Sequence, residues 1–255
     1  MENLHIRSNS FPSKSHPVIN DVEDQLCRLK SSEGTSTSAA SVCTNLANLR
    51  DLHEGVNNMI QMPSFQQALS AEGSEKWTSE LLEESLRLMD LCGFAKDVLS
   101  LSKGSIQELQ STLRRKRGEA ATADAIEAFM ISRKKINKMV KKYIKNFNRS
   151  NTSYMGEDFD LRAILVILKE TGDLDFSILK SALKFLSGEE ASSKKRSWSF
   201  FSMVTQSSQI KSMDSVDMQN LKSSEIAIQE IEEELEAYHR TLVKTRVSLL
   251  NALNY

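Results

Sequence analysis

The placement of proline constrains the fold of this chain more than any other sequence feature. Three prolines occur, Pro12, Pro17 and Pro63, and none follows position 63. Proline disrupts helix interiors, and the long proline-free stretch carries leucine at helical spacing without the period-two alternation typical of strands. We therefore predict an all-α fold, an elongated multi-helix bundle with a long heptad-patterned C-terminal helix and a disordered N-terminal tail.

Composition and patterning divide the chain into four segments. Polar residues dominate the first, helical patterns fill the second, serine and lysine are enriched in the third, and heptad spacing marks the fourth. We predict a disordered tail, a helical bundle, a linker and a C-terminal helix that packs on the bundle, in residues 1–16, 17–187, 188–213 and 214–255 respectively. Within the bundle, Gly172 is predicted to separate two short helices, Asp158–Glu170 and Phe176–Leu186.

The C-terminal segment repeats an apolar residue at every seventh position. The repeating residues are Leu221, Ile228, Leu235, Leu242 and Leu249. This period, with Ile231 and Tyr238 between the repeats, indicates a helix packed along its length in a bundle or coiled coil. Packing within the chain is favoured over homodimerisation because other long helices are available as partners. The oligomeric state stays open.

No combination of residues in the sequence resembles a catalytic or metal site. The four histidines are scattered, and neither a glycine-rich phosphate loop nor a two-histidine metal motif is present. The three cysteines, Cys27, Cys43 and Cys92, lack metal-ligand spacing and are predicted to be buried structural thiols. We predict a non-enzymatic protein without cofactor or metal, and keep an unrecognised enzyme as the last of three hypotheses.

Charge is segregated on a helix predicted from about Ala123 to Phe147. At 100° per residue, its basic side chains fall within an arc of about 120°. These are Lys134, Lys135, Lys138, Lys141, Lys142, Lys145 and Arg149. Outer faces of helices usually mix charges of both signs, and this one does not. The arc is predicted to be either a solvated outer face or a surface that binds a partner.

Three partners would complement this arc electrostatically. They are anionic lipid headgroups, an acidic protein surface, and the acidic stretch Glu230–Glu236 of the same chain. Nucleic acid is not expected, because no aromatic residues alternate with the lysines on the arc.

Two serine-containing segments match phosphorylation motifs. In the tail, Arg7, Ser10 and Pro12 fit the pattern Arg-Ser-x-Ser-x-Pro, which 14-3-3 proteins bind when the second serine is phosphorylated. In the predicted linker, Arg196 and Ser199 repeat this pattern without the proline. We predict that Ser10 and Ser199 are phosphorylation sites, with a 14-3-3 protein as a partner of phosphorylated Ser10.

Several segments spread along the chain resemble one plant-specific family. They are His5–Ser13, Ser15–Pro17, Leu49–Leu52, Lys76–Trp77, Glu84–Cys92, Ile106–Ser111, Leu113–Arg117 and Ser132–Lys135. The family is domain of unknown function 241, which is related to the Bypass proteins. The resemblance implies a helical protein of land plants, with members tied to root and shoot development. It implies no known activity, substrate or cofactor, so no catalytic residues can be transferred.

These observations give two main hypotheses for function. The first is a non-enzymatic adaptor or regulatory interaction protein with a protein partner, and the alternative is a peripheral membrane protein that docks on anionic lipid. The N-terminus lacks the apolar core of a secretion signal, and no apolar run approaches the ~20 residues of a spanning helix. A cytoplasmic or membrane-peripheral location is predicted, and nuclear and chloroplast locations stay open.

Overall fold

A computed structural model describes most of the chain as helices. The described residues are 16–32, 38–69, 75–115, 119–147, 159–187 and 216–253. Helices account for 97% of these residues, and no strand occurs among them, so the predicted all-α fold class is confirmed. The helices are α1 Pro17–Ser32, α2 Ala39–Ile60, α3 Pro63–Leu69, α4 Glu75–Arg115, α5 Glu119–Asn146, α6 Phe159–Ser187 and α7 Val216–Leu253.

Local sequence signals explain where two of the helices begin. Ser38 caps α2: its hydroxyl accepts a hydrogen bond from the Ser41 amide at 3.1 Å, and the Ser41 hydroxyl accepts one from the Ser38 amide at 3.0 Å. This reciprocal pair satisfies two amides that the first turn leaves unbonded. Pro63 is the first residue of α3, a position where its missing amide hydrogen and fixed φ angle are favourable.

The prediction of two short helices separated by Gly172 is wrong, because α6 is continuous from Phe159 to Ser187. A Cβ atom at position 172 would lie 2.9 Å from Oε1 of Glu84 on α4. Glycine at this position leaves room for the end of the Glu84 side chain and does not end the helix. Inside a helix a glycine costs only about 1 kcal/mol relative to alanine, and the burial of apolar side chains on both sides of Gly172 offsets this cost.

Helix α7 makes its most extensive contacts with α2 and α4. The five heptad residues, together with Ile231 and Tyr238, are all buried, and none is more than 5% exposed. Along the α4–α7 contact, Gln107 binds Glu225 at one end and Arg246 donates to the carbonyl oxygen of Leu82 at the other. These two contacts show that α4 and α7 run antiparallel.

Helix α5 packs against α4 and α6 through aromatic side chains. Tyr143 stacks on Phe94 of α4, with ring centroids 3.8 Å apart and planes at 5°. Phe147, directly after α5, stacks on Phe176 of α6 at 4.9 Å and 20°. Because Arg133, near the middle of α5, contacts Leu186 at the end of α6, α5 and α6 are antiparallel. These contacts fix which side of α5 faces solvent.

The predicted linker, residues 188–213, and the tail apart from His16 lie outside the described residues. The division into four segments stays a prediction. Within the described ranges, no helix combines the length and apolarity needed to cross a membrane.

Candidate functional site

The outer side of α5 carries the predicted basic arc. Six of its seven residues are described, and all six side chains are exposed: Lys134, Lys135, Lys138, Lys141, Lys142 and Lys145. We call these six residues the lysine face. Arg149, the seventh, lies outside the described residues. On the opposite side of the helix, Phe129, Ile136 and Val140 are at most 3% exposed in the core.

Arg133 begins the basic run in the sequence but does not belong to the lysine face. Its guanidinium is buried, and Nη1 donates a hydrogen bond of 2.6 Å to the carbonyl oxygen of Leu186. That carbonyl lies in the last turn of α6, where main-chain acceptors have no partner within the helix. Burial lowers the pKa of Arg133 to about 10, so it remains charged at neutral pH. Its spacing from Phe129 and Ile136 could have indicated this inward position.

The helix dipole explains only part of the lysine face. The described acidic residues of α5 outside its first turn, Asp124 and Glu127, precede the lysines, and residues 128–146 contain no acid. A dipole favours acids near the N-terminus and lysines near the C-terminus, but its effect fades within the last turn. Lys145 lies in that turn, whereas Lys134 lies three turns earlier. The dipole therefore does not account for the whole face.

The acidic stretch Glu230–Glu236 pairs with cations of α2 and α4 and with Arg240 of its own helix. Three of its carboxylates bind cations of α2 and α4, in the pairs Glu232–Lys103, Glu236–Lys96 and Glu234–Arg50. The side chains of these pairs are 27% to 42% exposed, so each pair contributes little stability. These contacts occupy carboxylates that an internal partner of the lysine face would need.

A buried polar cluster, which no sequence signal indicated, joins α2, α6 and α7. Nε2 of His53 lies 3.0 Å and 2.9 Å from the two carboxylate oxygens of Asp175. Nδ1 of the same ring lies 3.2 Å from Oγ1 of Thr245, and the Tyr238 hydroxyl donates to Asp175 at 2.8 Å. All four side chains are at most 6% exposed. The sequence separation of these residues explains why no local motif revealed the cluster.

The hydrogen bonds of this cluster converge on Asp175. Its carboxylate accepts from Nε2 of His53 and from the Tyr238 hydroxyl. On the other side of the ring, the Thr245 hydroxyl lies between Nδ1 of His53 and the carbonyl oxygen of Thr241, at 3.2 Å and 3.1 Å. Burial, and then Asp175, raise the pKa of Tyr238 well above its usual value, so its hydroxyl stays a donor. The cluster thus uses its donors internally and acts as a cross-link between helices.

The cysteines differ in their environments. Cys92 is buried, and burial raises the pKa of its thiol to about 12. Cys43 is half-buried, whereas Cys27 is exposed, so the prediction of three buried thiols is wrong for Cys27. Position 27 lies on the solvent side of α1, one residue from the core position Leu26. No group of three or more His, Cys, Asp and Glu in the described part of the chain is arranged to hold a metal ion.

The residues of the predicted phosphorylation motifs lie outside the described residues. They are Arg7, Ser10, Pro12, Arg196 and Ser199. The phosphorylation motifs stay predictions from the sequence.

Comparison with known proteins identifies a family. The family model described as Protein BPS1, of the Bypass-like plant proteins with domain of unknown function 241, matches residues 45–252. This match confirms the family resemblance seen in the sequence. No curated protein and no solved structure matches the chain. The family supports a plant protein involved in development, and it is not a known enzyme family.

Proposed function

We propose that this chain, which belongs to the BPS1 family of plant proteins, is a non-enzymatic adaptor or regulatory interaction protein linked to root and shoot development. Its docking surface is the lysine face of α5. One observation carries the proposal: six lysines project from one side of a helix whose other side is held in the core by stacked aromatic rings. The chain has a formal net charge of only -1, so attraction to an anionic partner is local to this face.

The test compares two variants that lose the same number of charges. The first is Lys138→Gln, Lys142→Gln and Lys145→Gln on the lysine face. The matched control removes three exposed cations elsewhere: Arg28→Gln, Lys222→Gln and Lys244→Gln. Glutamine and lysine have similar helix propensities, so helix stability is preserved in both.

Each protein is purified from plant tissue with its bound partners, which are quantified by mass spectrometry at low and high salt. We expect the lysine-face variant to lose partners that wild type and control retain. High salt removes the same partners from wild type, because exposed charges are screened over about 10 Å at 0.1 M. If the variant keeps every partner at every salt concentration, the lysine face is a solvated surface and the proposal fails.

The alternative function, a peripheral membrane protein on anionic lipid, uses the same face. One observation favours it: the six described residues of the basic arc are all lysines, and protein–protein interfaces are depleted in lysine and enriched in arginine and aromatic residues. The corresponding location is the cytoplasm, at or near a membrane surface.

The phosphorylation motifs supply a proposed means of regulation. A phosphate on Ser10, three residues after Arg7 and two before Pro12, would carry the dianionic charge that 14-3-3 arginine clusters bind. The test is binding of a phosphorylated and an unphosphorylated peptide of residues 5–15 to a 14-3-3 protein. We expect only the phosphorylated peptide to bind, and we expect the full-length Ser10→Ala variant not to be captured by the 14-3-3 protein. Equal binding of both peptides would rule the motif out. Ser199 is proposed as a second phosphorylation site.

A further inference from the structure

The lysine face continues onto the neighbouring helix α6. Nζ of Lys180 lies 5.6 Å from the ring centroid of Phe176, and Phe176 stacks on Phe147 next to α5. Lys184 is exposed and lies one turn after Lys180, on the same side of α6, near the end of the helix that Arg133 of α5 contacts. Both lysines therefore lie beside α5, at successive turns of the antiparallel α6.

Acidic residues are absent from the surface that these two helix segments share. Residues 128–146 of α5 and 176–187 of α6 contain no Asp or Glu. Asp175, just before the second segment, is 0% exposed and binds His53 and Tyr238. The six residues of the lysine face, together with Lys180 and Lys184, thus form one continuous basic area, which we call the two-helix lysine surface.

This area is bounded on its α4 side. Asp90 is exposed on α4, one turn before Phe94, which stacks on Tyr143 at the edge where α5 meets α4. Asp97 is also exposed on α4. Basic charge therefore extends from α5 toward α6 and not toward α4.

The shape of the surface suits a flat partner. The lysine face runs from position 134 to 145, about 16 Å along the axis at 1.5 Å per residue. Packed helices lie roughly 8–10 Å apart, so a second row of charges on α6 widens a single ridge into a plane. A partner that meets both rows must itself be planar and anionic over this area.

The chemistry of the surface separates a lipid surface from a protein. Lysine is a hydrated point charge that needs no fixed geometry, whereas protein interfaces are anchored by arginine and aromatic side chains. The aromatic residues Tyr143 and Phe147 contact α4 and α6 instead of projecting outward. Ile131, 46% exposed, is the one exposed large apolar side chain among the described residues of α5.

We infer that the two-helix lysine surface docks on an anionic lipid bilayer, resting on the headgroups by charge without inserting into the hydrocarbon. This inference names the partner of the surface and rests on the alternative function proposed above, a peripheral membrane protein. Insertion is not expected because the apolar side of α5 is occupied by the bundle core. Adsorption through charge alone is reversible and falls with ionic strength.

The test is co-sedimentation of the full chain with vesicles of phosphatidylserine and phosphatidylcholine, and with vesicles of phosphatidylcholine alone. Wild type is expected to bind only the anionic vesicles, with binding that declines as salt is added. Each lysine near the surface contributes about fivefold in partition coefficient. Lys180→Gln with Lys184→Gln is therefore expected to weaken binding by more than tenfold, and the triple lysine-face variant by about a hundredfold. The control triple variant removes Arg28, Lys222 and Lys244 and is expected to bind like wild type.

The outcomes distinguish this inference from the proposed function. If wild type does not bind anionic vesicles but the lysine-face variant still loses protein partners, the lipid inference is wrong and the proposed function is supported. If the α6 variant binds vesicles like wild type, the surface does not extend onto α6 and the inference is wrong. If the lysine-face variant still binds both the anionic vesicles and the protein partners, the inference and the proposed function are both wrong. Circular dichroism melts of the variants must overlay that of wild type, so that loss of binding reports charge and not unfolding.

Discussion

The buried cluster of His53, Asp175 and Tyr238 gives the sharpest test of the physical description of the fold. The change Asp175→Asn keeps the volume of the side chain but removes its charge. His53 and Tyr238 then lose the carboxylate to which both donate, at a site where all three residues are at most 4% exposed. A hydrogen bond to a charged group contributes about 1.5–3 kcal/mol, and two such bonds are lost or weakened together.

Urea unfolding followed by circular dichroism measures this cost directly. The free energy of unfolding is obtained by linear extrapolation, and an unchanged slope with denaturant shows that the folded state remains compact. We expect Asp175→Asn to lower that free energy by about 3 kcal/mol or more. In a chain of this size, this corresponds to a fall in melting temperature of roughly 6–12 °C.

Tyr238→Phe is the matched control, since it removes one hydroxyl that donates to the same carboxylate at 2.8 Å. The contact of His53 with Asp175 remains, and the expected loss is about 1.5–3 kcal/mol, the value of a single hydrogen bond to a charged group. His53→Ala with Asp175→Asn should cost less than the sum of the two single changes, because both changes break the same contact. If Asp175→Asn costs no more than Tyr238→Phe, the hydrogen bond from His53 to Asp175 does not stabilise the fold and the description of the cluster is wrong.

Two further predictions concern glycine and cysteine. A Cβ at Gly55 would lie 2.9 Å from Cγ2 of Val22, whereas one at Gly104 would meet nothing within 4 Å. In urea unfolding we therefore expect Gly55→Ala to destabilise the protein by about 1 kcal/mol or more, and Gly104→Ala to stabilise it by about 0.5–1 kcal/mol. Equal effects of the two changes would contradict the close contact of α1 with α2. In native protein near pH 8, we expect an alkylating reagent to modify the exposed Cys27 and not Cys92. Alkylation requires the thiolate, and burial raises the pKa of Cys92 to about 12. Rapid modification of Cys92, measured by mass spectrometry of peptides, would contradict its burial.

The fold class followed from the sequence because burial on a helix leaves a periodic signal. Leu221 and Leu249 are separated by four seven-residue repeats, and both lie in the core. The repeat alone therefore indicated which side of α7 packs against the bundle. The prediction of a helix break at Gly172 was wrong because the neighbour of this glycine is on another helix: the end of the Glu84 side chain on α4 lies where a Cβ atom would be. A residue selected by a tertiary contact carries no local signal, and propensity alone then predicts a break.

The candidate site was recognisable in part for the same reason. Charge at 100° per residue placed the lysines of α5 on one side, and their side chains are exposed. The extension through Lys180 and Lys184 depends on the antiparallel contact of α5 with α6, which spacing within either helix does not encode. The contact of His53 with Asp175 spans 122 positions in the sequence and could not be anticipated from either residue.

The core and the lysine face are mechanically connected, and this connection bears on how weak charges can act together. Tyr143 and Phe147 hold α5 against α4 and α6, so the helix cannot rotate about its axis to hide or scatter its lysines. A surface held in place by packing loses little backbone freedom on binding, and ordering a flexible segment would otherwise oppose association. An isolated peptide of α5 would have to form the helix at the anionic surface, and the free energy cost of helix formation would reduce its binding affinity. For the proposed docking, the bundle would hold a row of individually weak charges in one plane before a partner binds.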